Sequence, residues 1–378
     1  HVRVYQQSQA SVSEFHVVVD LQPDAKAATV RRVVEAELAL VRRELLAPEE
    51  LARAVMAFEV SELWDLDSVG ERADRLQTYR HYLGDPDRLQ WDLDRYRNAT
   101  PETVLAAAVR WLDPARRVEI WTEPSPAGVP VEALAADATP TVVTAHAEPP
   151  PLAFPDAPFR AKAPALSPPA LVKAPVPATA RLRNGLQVAI VERPLLPTVA
   201  FTLVWPGGHA LDPPGREGLA SACMGLVSKG SRDLNGPALK PRLDDLGAQL
   251  HTWVTRDQMG VSGLVLAQHL DATLRILADV LVRPALPAHG LEFIARTRTT
   301  ALQAARGDPE EVAQRLAAHV AHGSSHPFGR LPTAASYGAL TSHDCRSFWS
   351  AHGKPRRAHL FVAGGVRARA RGVEPGAV

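Results

Sequence analysis

Cysteine is almost absent from this sequence. Two residues in 378, Cys223 and Cys345, are too few for a disulfide framework and lack metal-ligand spacing, so buried thiols are the simplest reading. An excess of one charge is missing too. Lys and Arg number 42 and Asp and Glu 41, a formal net charge of +1, which argues against a general polyanion-binding surface and so against nucleic acid as a partner. No long uncharged apolar run occurs, so no membrane span is predicted, and nothing resembles a signal peptide. Phosphate-cradling loops are lacking: Gly207-Gly208 is too short, and no Gly-x-Gly-x-x-Gly follows a strand. Neither a Gly-x-Ser-x-Gly elbow nor a Ser-x-x-Lys spacing is present, which leaves Ser228-Lys229 without the setting of a nucleophile. Cys223 sits among apolar residues in a helical run, a setting that raises a thiol pKa and argues for an inert side chain.

What is abundant is proline, 33 residues, within a chain that is 46% hydrophobic and long enough for two or three domains with real cores. Fourteen of the prolines fall between residues 124 and 177. Proline cannot donate to a ladder and pushes its neighbour toward extended backbone, so 124–177 is expected to be an extended connector. It divides the chain into units at 1–123 and 178–365, with a patternless Arg/Ala/Gly-rich tail at 366–378 expected to fray.

In the first unit, residues 2–5 and 14–20 read as strands from their β-branched content and partial alternation. Helices are predicted over 25–46, from Pro48 through Leu66, over 72–82, and from Thr100-Pro101-Glu102 to about Leu112, with a break at Gly84-Asp85-Pro86. Residues 117–122 read as a returning strand. In the second unit, strands are predicted over 182–190 and 199–205, a hairpin over 248–255 and 258–266, and a last strand over 357–363. Helices are predicted over 236–246, 270–282 and 287–306. Asp308-Pro309-Glu310-Glu311 should start another, ending near His322: Asp accepts free amides, Pro is preset, and Glu suits the positive end. Thr341-Ser342-His343-Asp344 has the form of a capping box.

The chain is organised around Gly218-Leu219-Ala220-Ser221-Ala222-Cys223-Met224-Gly225-Leu226-Val227-Ser228-Lys229-Gly230-Ser231. Upstream stand Leu182-Arg183-Asn184-Gly185-Leu186, then Pro197, Pro206-Gly207-Gly208 and Asp212-Pro213-Pro214-Gly215. In type, order and spacing these words resemble the opening of the repeat of the pitrilysin/insulinase metallopeptidases. In that family the helix carries His-x-x-Glu-His, two histidines for zinc and a glutamate that activates water. The resemblance puts Ser221, Met224 and Gly225 at those three positions. Serine is a poor zinc ligand, methionine takes no proton, and glycine has no side chain. The family's third ligand, a glutamate farther along, falls by the same resemblance near Thr299-Thr300-Ala301-Leu302-Gln303, which holds no carboxylate.

The first unit is similar to the second, non-metal domain of a family lobe through Glu49-Glu50-Leu51-Ala52-Arg53-Ala54, Gly84-Asp85-Pro86-Asp87, Asp94-Arg95-Tyr96-Arg97 and Thr100-Pro101-Glu102. By themselves those charge runs read as solvated helix faces and caps. His319, His322 and His326 lie close enough to suggest a metal site, yet His326-Pro327-Phe328-Gly329 resembles a family turn, which favours a structural role.

The implied fold is α+β: two repeats of an antiparallel sheet with helices packed on one face, joined by the proline-rich linker. The resemblance further implies a piece of a double-lobe protein, with a catalytic domain before His1 and a closing domain after Val378. No residue of this chain is then expected to be catalytic, to hold a metal or to bind a cofactor, zinc belonging to the upstream domain. The expected partner is a peptide or unfolded polypeptide, or a family-related subunit. Alternatives are a catalytically inactive assembly protein, as in the core subunits of the mitochondrial cytochrome bc complex, and a partner subunit of a separate active chain. A bacterial cytoplasm and a periplasm or cell envelope are both compatible with the sequence, and the isolated piece is expected to expose apolar surface.

Overall fold

The computed structural model describes residues 2–9, 11–21, 25–122, 161, 173–234, 236–367 and 374–375. The connector expected over 124–177 lies almost wholly outside the described residues.

The chain opens with strands β1 (Val2–Ser8) and β2 (Ser13–Val19), an antiparallel hairpin registered from Val2 opposite Val19 to Ser8 opposite Ser13. Five helices follow: α1 (Ala27–Val41), α2 (Pro48–Asp65), α3 (Val69–Leu83), α4 (Leu89–Arg97) and α5 (Pro101–Trp111). Their ends follow local chemistry. Pro48 opens α2 with Glu49 and Glu50 in its first turn, where the helix dipole favours acid. Ser68 accepts from the Glu71 amide to cap α3, and Gly84 closes that helix at φ 76°, which a residue with a Cβ resists. Thr100 and Thr103 exchange hydrogen bonds at the start of α5. The helices are tied by polar contacts: Arg75 to Glu62 at 2.7 Å, Tyr79 Oη donating to Asp92 at 3.0 Å, and Arg97 to Glu59 at 2.5 Å.

The strand expected over 117–122 does not form. No strand among the described residues pairs with it, and Val118 and Ile120 are 84% and 85% exposed. Alternating apolar residues become a strand only when a neighbour takes their backbone groups.

The second sheet has seven strands: β3 (Ala178–Arg181), β4 (Gln187–Glu192), β5 (Thr198–Pro206), β6 (Gln249–Val254), β7 (Gln258–Leu266), β8 (His359–Gly364) and the two-residue β9 (Glu374–Pro375). Their order is β6-β7-β5-β8-β4-β3-β9. All pairs are antiparallel except β4 with β8, which run parallel with Gln187 opposite His359. β9 pairs with Ala178 and Thr179, so part of the tail expected to fray joins the sheet.

Among the described residues these strands are accompanied by helices α6 (Leu219–Val227), α7 (Gly236–Asp245), α8 (Leu270–Val282), α9 (Ala288–Ala304), α10 (Pro309–His322), α11 (Ala334–Gly338) and α12 (Ser342–His352). The fold is α+β, as the resemblance implied. Period two in β5 sends Val199, Phe201, Leu203 and Trp205 to one face, all buried, where they meet Met259, Val261 and Val265 of β7 and the apolar side of α6. The Phe201 ring lies over Gly263, its registered partner, where a Cβ would come within 2.1 Å of the ring. Trp205 meets Trp349 of α12 edge-on at 5.3 Å, and both indoles donate to backbone carbonyls.

Helix α2 packs against the later part of the chain. Val60 is 1% exposed because it rests on Gly247, just before β6, where a Cβ would lie 2.6 Å from its methyl; Arg53 pairs with Asp245 of α7 at 3.5 Å. By their contacts residues 1–110 and 175–378 form one compact unit, and 111–174 a second.

Candidate functional site

Helix α6 begins where Gly218 takes φ 97°; a Cβ there would meet the Tyr337 ring at 2.5 Å. The cap is supplied from a distance. Asp212, 5% exposed, accepts from the amides of Gly218 and Ala220 at 2.8 and 2.7 Å and lies 3.2 Å from His209 Nδ1. Its buried carboxyl is therefore met by three donors at the start of a helix. This explains why Asp212-Pro213-Pro214-Gly215 precedes the helix: it sets the helix's starting angle and satisfies its first amides.

The three positions singled out in the sequence lie on this one helix. Ser221 and Gly225, four apart, share a half-buried stripe, and Ser221 Oγ turns back to donate to Gly218 O at 3.0 Å. Met224 is 1% exposed and belongs to the core. Gly225 faces α9, whose Ile294 Cδ1 lies 3.1 Å from where a Cβ would stand, and Gly290 of α9 likewise admits Leu226. The helices thus close on each other where a metal ligand would have to project. Of the stretch 299–303, also on α9, Leu302 packs against the core and brings no donor. These residues do not fit a zinc ion: Ser221 offers a hydroxyl already engaged and Met224 a thioether, and neither they nor 299–303 supply a histidine, thiolate or carboxylate. Among the described residues no three His, Cys, Asp or Glu side chains are grouped to hold a metal ion.

The histidines have structural partners. His319 Nδ1 donates to Gly329 O at 2.8 Å and ties the end of α10 to the turn at 327–329. His326 Nδ1 accepts from the Phe328 amide at 3.1 Å, and its ring stacks on that of His322 with centroids 5.2 Å apart. The two cysteines, far apart in sequence, meet in the core, where Cys223 Sγ donates to Cys345 O at 3.5 Å. Its hydrogen bond to Cys345 and its burial hold the Cys223 thiol far above the ordinary range, which keeps it un-ionised.

One cleft was not legible in the sequence. About 580 Å³ opens between the turn holding His209, the hairpin turn at Arg256, the first turns of α10 and the segment after His326. Charges of both signs line it, among them Glu311, Arg315 and Arg330, and the Arg330 Nε is buried without a hydrogen-bond partner among the described residues. Its lining comes from four separate stretches, so no spacing in the sequence announces it.

Comparison with known proteins bears on this geometry directly. Residues 187–323 match the family described as insulinase, peptidase family M16. That match spans β4 to the end of α10 and includes the whole of α6. Among curated proteins, an uncharacterised zinc protease of Rickettsia bellii is 22% identical over 191 residues, 49% of this chain and 45% of that protein. A probable mitochondrial-processing peptidase subunit beta of Arabidopsis thaliana is 24% identical over 200 residues, 52% of this chain and 37% of its own. The chain spans less than half the length of the curated relatives it matches. Among solved structures, a peptidase M16 inactive domain from Pseudomonas fluorescens is 19% identical with a TM-score of 0.48, covering 50% of this chain and 47% of that one.

Strand β6 ends the second sheet, and its outer edge pairs with no strand among the described residues. A row of backbone donors and acceptors is left there for an extended chain to add to.

Proposed function

We propose that this chain is a non-catalytic portion of an insulinase-type zinc endopeptidase and helps form the chamber that encloses an extended peptide. The observation that carries the reading is α6 itself. Its entry glycine, its Asp212 cap and its place in an M16 segment are all present, while Met224 is built into the core and Ile294 occupies the approach to Gly225. When zinc is bound in an active domain of such an enzyme it polarises a carbonyl and lowers the pKa of its water. That chemistry is assigned to another domain of the parent. The role left for this chain is to hold polypeptide, at the β6 edge or in the charged cleft beside α10.

A second reading is a partner subunit that works beside a separate active chain. It is favoured by the name of the Arabidopsis relative, a subunit of a processing peptidase.

The test is fluorescence anisotropy with a labelled unstructured peptide, followed by recovery of the peptide. Saturable binding with the peptide recovered intact is expected. Absence of binding would remove the peptide-holding role and leave the assembly role of a subunit.

A further inference from the structure

The chain holds two cysteines, and the fold brings them together. Cys223 lies in the middle of α6 and Cys345 in the first turn of α12, 122 positions later, and both are 0% exposed. The Cys223 sulfur is 3.5 Å from the Cys345 carbonyl oxygen and donates to it, so the two residues are in direct contact. They sit among apolar core residues, including Ala222, Leu226, Phe348 and Trp349. Neither belongs to a group of metal-binding side chains among the described residues, and neither lines the cleft beside α10.

We propose that Cys223 and Cys345 are an intrachain disulfide site, closed when the chain folds in contact with a small-molecule disulfide such as oxidised glutathione. Both sulfurs are sealed from solvent in the folded chain, so the first step takes place before the core closes. One cysteine thiolate attacks a sulfur of the oxidant, the oxidant's S–S bond breaks, and one glutathione thiolate leaves. Folding then brings the second cysteine to the mixed disulfide. Its thiolate attacks the protein-bound sulfur, the second glutathione leaves, and the Cys223–Cys345 bond forms. The two protons released by the cysteines end on the two glutathione thiolates, and the oxidant is reduced by the two electrons the cysteines lose. The fold favours the second step because native packing holds the pair in contact, whereas the unfolded chain must close a loop of more than a hundred residues to do so. The bond would fasten α6, the helix of the degenerate metal position, to α12 and would restrict the unfolded chain.

The experiment is refolding of the full chain from denaturant in a glutathione redox buffer, then acid quenching, alkylation of free thiols in denaturant and mass spectrometry. The expected product is unalkylated, lighter by two hydrogens than the reduced chain, gives a cross-linked peptide containing Cys223 and Cys345, and melts at a higher temperature than the reduced form. The conservative variants C223S and C345S should each retain one alkylatable thiol and form no intrachain bond. The proposal is overturned if the refolded wild-type chain still alkylates at both positions. It is equally overturned if the oxidised chain melts lower than the reduced one, since native packing would then oppose the bond.

Discussion

Position 224 shows how far this helix has moved from metal chemistry. The side chain that a metallopeptidase would aim at water is here a methionine packed to 1% exposure in the core. A carboxyl group placed there would lose its hydration and gain no partner. Met224→Glu is therefore expected to cost about 3 kcal/mol at neutral pH, by the usual cost of burying an unpaired polar group. The sign of its pH dependence follows from burial. The folded-state pKa of the new carboxyl is raised above its unfolded value, so the deficit is smallest where the group is protonated in both states and grows as pH rises. Thermal unfolding at pH 5 and pH 8 checks this, and a deficit that shrinks toward pH 8 would contradict the placement. The residue types at 221, 224 and 225 were legible in the sequence, since a missing ligand can be read one letter at a time. The partner that fills the gap was not. Ile294 comes from another helix, and its approach to Gly225 depends on how α6 and α9 cross, which no local pattern encodes.

At the scale of elements, ends were more legible than neighbours. Pro48, Asp308 and Thr341 open helices as their chemistry requires, and Thr341 with Asp344 forms a reciprocal capping box. These signals act within four residues. The parallel pairing of β4 with β8 and the rest of α2 against Gly247 depend on contacts across much of the chain. The failed strand at 117–122 belongs here too, because alternation states a preference and pairing needs a neighbour. The joint between α2 and α3 yields a further test. Burial raises the pKa of Glu62, against the opposing pull of Arg75, which reaches it at 2.7 Å; the nearby charges of Asp92 and Asp65 raise it further. Tyr79, in the same cluster, is pushed up to about 12 by burial and its hydrogen bond to Asp92. Because the folded-state pKa of Glu62 is raised, its ionisation works against the fold as pH climbs through that value. Without Arg75 the carboxylate loses its nearest compensation. Arg75→Met is expected to cost about 2 kcal/mol at pH 7, the scale of a charge-assisted hydrogen bond, and less at pH 4. Chemical denaturation at the two pH values decides it, and a deficit equal at both would contradict the assigned role of Glu62.

At the scale of the whole molecule, the segment that matches the insulinase family model, 187–323, lies within the seven-stranded sheet and its helices. The composition had already narrowed the field: a balanced charge and two cysteines leave little room for nucleic-acid binding or a disulfide scaffold. Much apolar surface is nonetheless exposed, as on β1 at Val2, Val4 and Tyr5 and on α1 at Val33 and Leu40. Such surface is in keeping with a chain that works against other protein, the arrangement proposed here. The most direct test is zinc content per chain after equilibration with a zinc salt and removal of loosely held ion, with peptide cleavage assayed before and after chelation. The account predicts well under one zinc per chain and no cleavage in either assay, while the labelled peptide is still bound. One tightly held zinc per chain, with cleavage abolished by chelator and restored by zinc, would contradict it.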